Sequence, residues 1–211
     1  MQDNDNPTAP PASPPPTAFP IVCIGASAGG VSAFEHFFRN ASADSGMAFV
    51  VILHLATNRA SNLTEILQRT TTMPVVKAVD SLQVMPNHVY VIPPNRYMTV
   101  VDDVLQLSLP ELPNWQRKPI DVFLHSLAKD KGNQAIGIIL SGTGSDGTLG
   151  LCTIFGAGGI AMVQEPATAE FDGMPTSAIQ SGYATHVLPV EKMPEMLLTC
   201  KQNLGVLHQH Q

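Results

Sequence analysis

Residues 21–38 read Ile-Val-Cys-Ile-Gly-Ala-Ser-Ala-Gly-Gly-Val-Ser-Ala-Phe-Glu-His-Phe-Phe. The first five form an apolar run with β-branched side chains, closed by Gly25, which reads as a buried strand. Ala26 to Gly30 are small and read as a turn. Val31, Phe34, Phe37 and Phe38 then recur at the spacing of one helix face. The same rhythm follows at once. Residues 47–55 (MAFVVILHL) read as a second buried strand, and residues 61–70 (SNLTEILQRT) as a helix in which Asn62 and Glu65 have the spacing of a capping box. Strand, helix, strand, helix predicts an α/β fold with a parallel sheet.

Working outward, the rhythm breaks and then resumes. VVKAV, HVYVI, MTVV and VLQLSL, between residues 75 and 109, read as short strands. The last two are joined at Asp102-Asp103 as a hairpin, an antiparallel addition expected at the sheet edge. Pro119 suits a first helical position. Ile120, Phe123, Leu124, Leu127 and Ala128 make one apolar face, and Gly132 ends that helix. AIGIILS is a buried strand, GTGSDG a loop and TLGLCTIFGAG a helix. IAMVQ, PTSAIQSG, THVLP and MPEMLLTCKQNLG complete a further strand–helix–strand–helix set. No repeat of fixed period is visible. The first twenty residues hold seven of the 18 prolines and almost no large apolar side chains, and read as an extended leader. The expected organisation is a Pro-rich leader over 1–20, one folded domain over 21–204 and a polar tail over 205–211.

Composition narrows the function classes. The 211 residues are 44% hydrophobic and 13% charged, and 17 acids against 11 bases give a net charge of -6. No basic surplus exists to neutralise phosphates, which argues against nucleic acid as the main partner. No apolar run approaches the roughly 18–20 residues of a membrane span, and the start lacks the basic and apolar parts of a signal peptide. Cys23, Cys152 and Cys200 are widely spaced with no CxxC pair. That argues against a disulfide framework or a zinc site and for a reducing cytoplasm.

Three features carry chemistry. Gly25-Ala26-Ser27-Ala28-Gly29 matches G-x-S-x-G between a strand and a helix. A serine on such a turn is pushed into the open at the strand's carboxyl end, where helix N–H groups face a developing oxyanion. A plain packing turn and a phosphate loop remain alternatives, although a dinucleotide fingerprint wants G-x-G-x-x-G and an acid after the second strand. The residue there is His54. In a parallel sheet the carboxyl ends of neighbouring strands line one crevice, which puts His54 beside Ser27 if the first two strands pair. That placement separates it from His36, His88, His125 and His186, and from His208 and His210 in the tail. Asp146, in Ser141-Gly142-Thr143-Gly144-Ser145-Asp146-Gly147, follows another buried strand. It is placed either to orient a histidine or to cap the helix starting near Thr148. The chain order Ser27, His54, Asp146 differs from that of α/β-hydrolases, but triads are defined by role and geometry.

IVCIGASAGGVSAFE, VVILHL, HVYVIPPNRYM, PIDVFLHSLA, AIGIILSGTGSDGTLG and EFDGMPTSAI together resemble the catalytic domain of the chemotaxis protein-glutamate methylesterase family, CheB. The resemblance runs from about Ile21 to about Leu198. It implies an α/β fold, a doubly wound, mainly parallel sheet with helices on both faces and a small antiparallel β-hairpin at one edge. It also implies catalytic roles for Ser27, His54 and Asp146. The wording is closest to the version at the front of methylesterase–methyltransferase fusion sensors. Two departures stand out. Ala28 replaces a frequent threonine, removing any hydroxyl bond to the histidine. Thr143 replaces a frequent methionine whose backbone N–H serves the oxyanion, and a backbone donor survives that change. Twenty Pro-rich residues leave no room for the family's receiver domain within the leader.

The implied reaction is hydrolysis of glutamyl methyl esters on a chemoreceptor-like protein, with deamidation of receptor glutamines by the same acyl chemistry. Ser27 attacks, His54 transfers the proton, Asp146 orients the imidazole, and the backbone N–H groups of Ala28 and Thr143 face the oxyanion. No metal or organic cofactor is required. The imidazole must be neutral to act as base, so the rate should fall below roughly pH 6.5. Implied partners are a methylated receptor and a receptor methyltransferase and histidine kinase, fused or separate. Arg59, Arg69 and Arg96 offer steering charge, and Met85 and Met174 read as core or crevice packing. A nucleotide-binding module and a non-catalytic docking domain are the rival readings.

Overall fold

The computed structural model describes residues 19–54, 62–113 and 116–207, with side chains as far as residue 202. In chain order the elements are β1 (Ile21–Ala26), α1 (Gly30–Asn40), β2 (Ala48–Leu53), α2 (Leu63–Gln68), β3 (Val75–Lys77), β4 (Leu82–Gln83) and β5 (Val89–Val91). Then come β6 (Tyr97–Val101), β7 (Val104–Ser108), α3 (Pro119–Lys131), β8 (Ala135–Ile139), α4 (Thr148–Gly156), β9 (Ile160–Gln164), α5 (Gly173–Gln180), β10 (His186–Leu188) and α6 (Met193–Leu207). The last helix continues past residue 204, where the folded domain was expected to end. The leader, apart from its last two residues, and His208 and His210 lie outside the described residues.

Seven strands form one parallel sheet in the order β10-β9-β8-β1-β2-β5-β3. β1 sits between β2, the next strand in the chain, and β8, which arrives more than a hundred residues later. The order reverses there, and the crevice beyond the strand ends is where α/β sheets place their sites.

Both faces of the sheet are covered, and the strands show it by being buried along their whole length. Alternate residues serve opposite cores. Val22, Ile24, Phe49 and Val51 face one cluster with Phe34, Phe37, Phe38, Leu67 and Leu197 from α1, α2 and α6. Ile21, Cys23, Val50 and Ile52 face another with Phe123, Leu127, Leu151 and Met174 from α3, α4 and α5. Phe37, Phe38 and Phe49 meet edge-on, with ring centroids 5.2 to 5.9 Å apart. That geometry adds to the area they bury.

The middle region differs from expectation. VVKAV and HVYVI supply β3 and β5, which are parallel strands of the main sheet. The hairpin β6–β7 forms as read, with Asp102 and Asp103 both at positive φ, 51° and 61°. It carries β4 as a third strand and makes a separate antiparallel sheet. That sheet docks on α3 instead of extending the sheet edge. Val100 N–H donates to Ser126 Oγ at 3.1 Å and Asp102 N–H to Asp130 Oδ1 at 2.6 Å, so helix side chains satisfy the exposed edge of β6. Two smaller readings also change. Asn62 precedes α2 without a side-chain cap bond, so no capping box closes. Met174 is core, but Met85 is 53% exposed in the turn before β5. Pro119 and Gly132 bound α3 as read. Among the described residues no helix is long and apolar enough to cross a membrane.

Candidate active site

Three adjacent strands deliver the three residues. Ser27 directly follows β1 and His54 directly follows β2. Asp146 lies in the loop after β8, and β1 pairs with both neighbours. His54 N–H donates to Ala26 O at 2.8 Å and Ser27 N–H to Ser141 O at 3.0 Å, which ties the three strand ends together.

His54 and Asp146 are in direct contact. His54 Nδ1 lies 2.9 Å from Asp146 Oδ2, with the histidine side chain 26% exposed and the aspartate 2% exposed. Nδ1 donates to the carboxylate, which leaves Nε2 as the nitrogen that can take a proton. The buried carboxylate does not cap α4, whose N-cap is Gly147. It accepts instead from the first turn of α3, from Ile120 N–H at 3.2 Å and Asp121 N–H at 3.0 Å. Pro119 at the start of that helix has no N–H to offer, so the next two residues supply the donors.

Ser27 is differently engaged. Its hydroxyl donates to the backbone carbonyl of His54 at 2.7 Å, not to the imidazole. The hydroxyl is thus next to the histidine but held off its ring. A rotation about the serine's χ1 exchanges that carbonyl for another acceptor, and such bonds often tighten only when substrate binds.

The glycines around Ser27 explain the elbow. Gly29 has φ of +72°, and a Cβ there would lie 2.6 Å from Ser141 Oγ. A Cβ at Gly142 would lie 2.2 Å from Met174 Sδ and 2.9 Å from Ser27 Cβ. Loop 141–144 therefore packs directly behind the serine. Ala28 and Thr143 N–H take no hydrogen-bond partner among the described residues.

Several supporting residues escape the sequence reading. Ser141, 1% exposed, donates to Ala28 O at 2.8 Å and accepts from Phe171 N–H at 3.0 Å. Buried Gln164, at the end of β9, accepts Ser141 N–H at 2.8 Å. Gly142 N–H donates to Phe171 O at 2.9 Å and Met174 N–H to Gly142 O at 2.8 Å, so the EFDGM segment clasps the Asp146 loop. The available signal was a polar residue closing an otherwise apolar strand, as Gln164 does. Beside Ser27 opens a groove of about 520 Å³ lined by Ala28, Gly29, Glu35, Glu170 and Phe171.

The other described histidines have ordinary partners: His36 with Glu191, His88 with Pro86 O, His125 with Thr153 and His186 with Thr185. Arg96 is exposed and bonds to Asn95 O, and Arg69 ends α2. Arg59 lies outside the described residues. Among the described residues no group of three His, Cys, Asp or Glu side chains is arranged to hold a metal ion.

Comparison with known proteins agrees with this architecture. The profile of the CheB methylesterase family matches residues 22–197. A Leptospira interrogans protein assigned as protein-glutamate methylesterase/protein-glutamine glutaminase is 32% identical over 186 residues, covering 88% of this chain and 96% of the relative. A Geobacter metallireducens protein-glutamate methylesterase/protein-glutamine glutaminase is 30% identical over 208 residues, covering 96% of this chain but 59% of the relative. The crystal structure of the Thermotoga maritima CheB methylesterase catalytic domain superposes with a TM-score of 0.79 at 29% identity, covering 87% of this chain and 99% of that one. With the family profile matched along nearly the whole folded region and a relative 32% identical across almost its full length, the chain belongs to the CheB methylesterase family.

Proposed function

We propose that Ser27, His54 and Asp146 form the catalytic triad of a protein-glutamate methylesterase acting on a methylated chemoreceptor or related sensory protein. The observation that carries the reading is the convergence of these residues at the ends of β1, β2 and β8, with the 2.9 Å His54–Asp146 contact. In the reaction, Ser27 Oγ attacks the γ-carbonyl of the methylated glutamate as its proton passes to His54 Nε2. The carbonyl oxygen of the ester becomes the oxyanion, facing the N–H groups of Ala28 and Thr143. Collapse expels the methoxide, which leaves as methanol by taking the proton from His54. A water then attacks the acyl-enzyme, again with His54 as base, and releases glutamate and free Ser27. Asp146 stays ionised and supports the imidazolium. With an amide in place of the ester the same cycle releases ammonia, which gives the glutaminase activity named for the relatives.

The test is release of radiolabelled methanol from membranes carrying methylated receptors, with wild type and Ser27→Ala side by side. Release by wild type alone is expected. Equal release by both proteins would overturn the triad. Partner binding without release by either would favour the docking-domain reading.

A further inference from the structure

Asp121 is a second buried carboxylate behind the site, and the proposed reaction gives it no role. It is 6% exposed. Its backbone N–H donates to Asp146 Oδ1 at 3.0 Å, and its own Oδ1 accepts Gly150 N–H at 2.7 Å. One residue thus grips Asp146 through its main chain and, through its side chain, the first turn of α4 four residues further on. The C-terminal end of the loop bearing Asp146, and the helix turn that follows it, are thus tied to α3. An asparagine would make the Gly150 bond as well as an aspartate does. An acid at this depth therefore wants a reason, because a buried charge with a single hydrogen bond among the described residues is destabilising.

We infer that Asp121 is a positioning residue of the triad: it fixes the Asp146 loop, and its negative charge supports the imidazolium form of His54 through Asp146. The inference rests on the triad reading above. Burial is the largest influence on the Asp121 carboxyl and raises it above the ordinary carboxylate range. Gly150 N–H lowers it, the charge of Asp146 raises it, and Lys118 and His125 lower it. The two carboxylates therefore feel each other, and His54 faces Asp146 directly. Lys118 is otherwise engaged, with Nζ 3.1 Å from Ser145 Oγ.

A carboxyl raised in the folded state destabilises the fold progressively as pH climbs from the ordinary carboxylate range through the raised value. Asp121→Asn removes that loss and keeps the acceptor for Gly150. Its melting temperature at pH 7 should equal or exceed the wild-type value. Its kcat should nonetheless fall about three- to tenfold with KM unchanged, because the imidazolium formed in the transition state loses a supporting charge. The acid-side midpoint of its pH–rate profile should move down. Asp121→Ala, which also frees the loop, should lose more activity than Asp121→Asn. An Asn variant with wild-type kcat and an unmoved midpoint would overturn the inference. So would a loss of kcat that only follows a lowered melting temperature, with the midpoint unmoved. The same comparison can be made without turnover, by following the His54 ring proton by NMR against pH in both proteins. If wild type releases no methanol the methylesterase reading fails, while a His54 midpoint displaced in Asp121→Asn still supports the coupling and an undisplaced one still rejects it.

Discussion

At the residue scale, the site depends on which positions tolerate a side chain. Gly142 and Gly144 lie two apart in the Asp146 loop, and their environments are opposite. A Cβ at Gly142 runs into Met174 Sδ and Ser27 Cβ, whereas a Cβ at Gly144, with φ of +85°, meets nothing within 4 Å. Gly142→Ala should therefore displace Ser27 itself, costing about 1–3 kcal/mol of stability and most of the methylesterase rate. Gly144→Ala should cost about 1 kcal/mol of backbone strain and leave kcat close to wild type. Paired urea unfolding and methanol-release assays separate the two, and a fully active Gly142→Ala would show that the close contact behind Ser27 is dispensable. Ser141 is the second residue of this kind. Its hydroxyl bridges the elbow at Ala28 and the EFDGM segment at Phe171. Ser141→Ala leaves the partly buried Phe171 N–H and Ala28 carbonyl without this partner, so a loss of about 1 kcal/mol is expected, read as a lower urea midpoint with unchanged slope. Ser27 was legible as a candidate nucleophile because its turn is local. Asp121 was not, because its significance comes from two groups 25 and 29 residues away.

At the element scale, α1 and α3 do different work. α1 holds the elbow by burying Phe34, Phe37 and Phe38 against β2, where Phe37 and Phe38 both meet Phe49. Phe37→Ala should cost about 3–5 kcal/mol, and equilibrium unfolding would test it. A loss under about 1 kcal/mol would mean that α1 repacks without the aromatic cluster. α3 lends its first-turn N–H groups to Asp146 and its flank to the small antiparallel sheet. The helix itself was readable from Pro119, its apolar face and Gly132. Its two tasks were not, since each is a long-range contact with no periodic trace. For the same reason VVKAV and HVYVI were read correctly as strands but assigned no parallel partners. Three-residue strands carry too little pattern to say which neighbour they join.

At the scale of the whole molecule, the two cores lock the sheet from both sides, and the cysteines report on that lock. Cys23 lies in the central strand. Burial, and secondarily the negative charge of Asp146, push its thiol well above the ordinary range. Cys200, on α6, is also raised by burial. Cys152 is only half-buried on α4. Alkylation of the native protein should label Cys152 first, with Cys23 reacting only as the whole sheet opens. Labelling of Cys23 should then keep pace with global unfolding across a urea series, and fast native-state labelling of it would reveal a local opening at β1.

The sequence by itself determined most of the elements and the candidate chemistry, but not the two-residue strand β4. Strand burial, helix faces, the Gly25–Gly29 elbow and the Pro119 and Gly132 boundaries are all short-range features, set by side-chain spacing and backbone preference within a few residues. Only the tertiary structure decided that β8 comes to lie beside β1. It alone placed Asp146 on the N-terminus of α3 instead of α4, turned the Ser27 hydroxyl to the His54 carbonyl, and buried Asp121 behind the site. Each of these is a hydrogen bond or packing contact between segments far apart in the chain. Such contacts are selected by the closing of the sheet and its two cores together, and no local pattern encodes them.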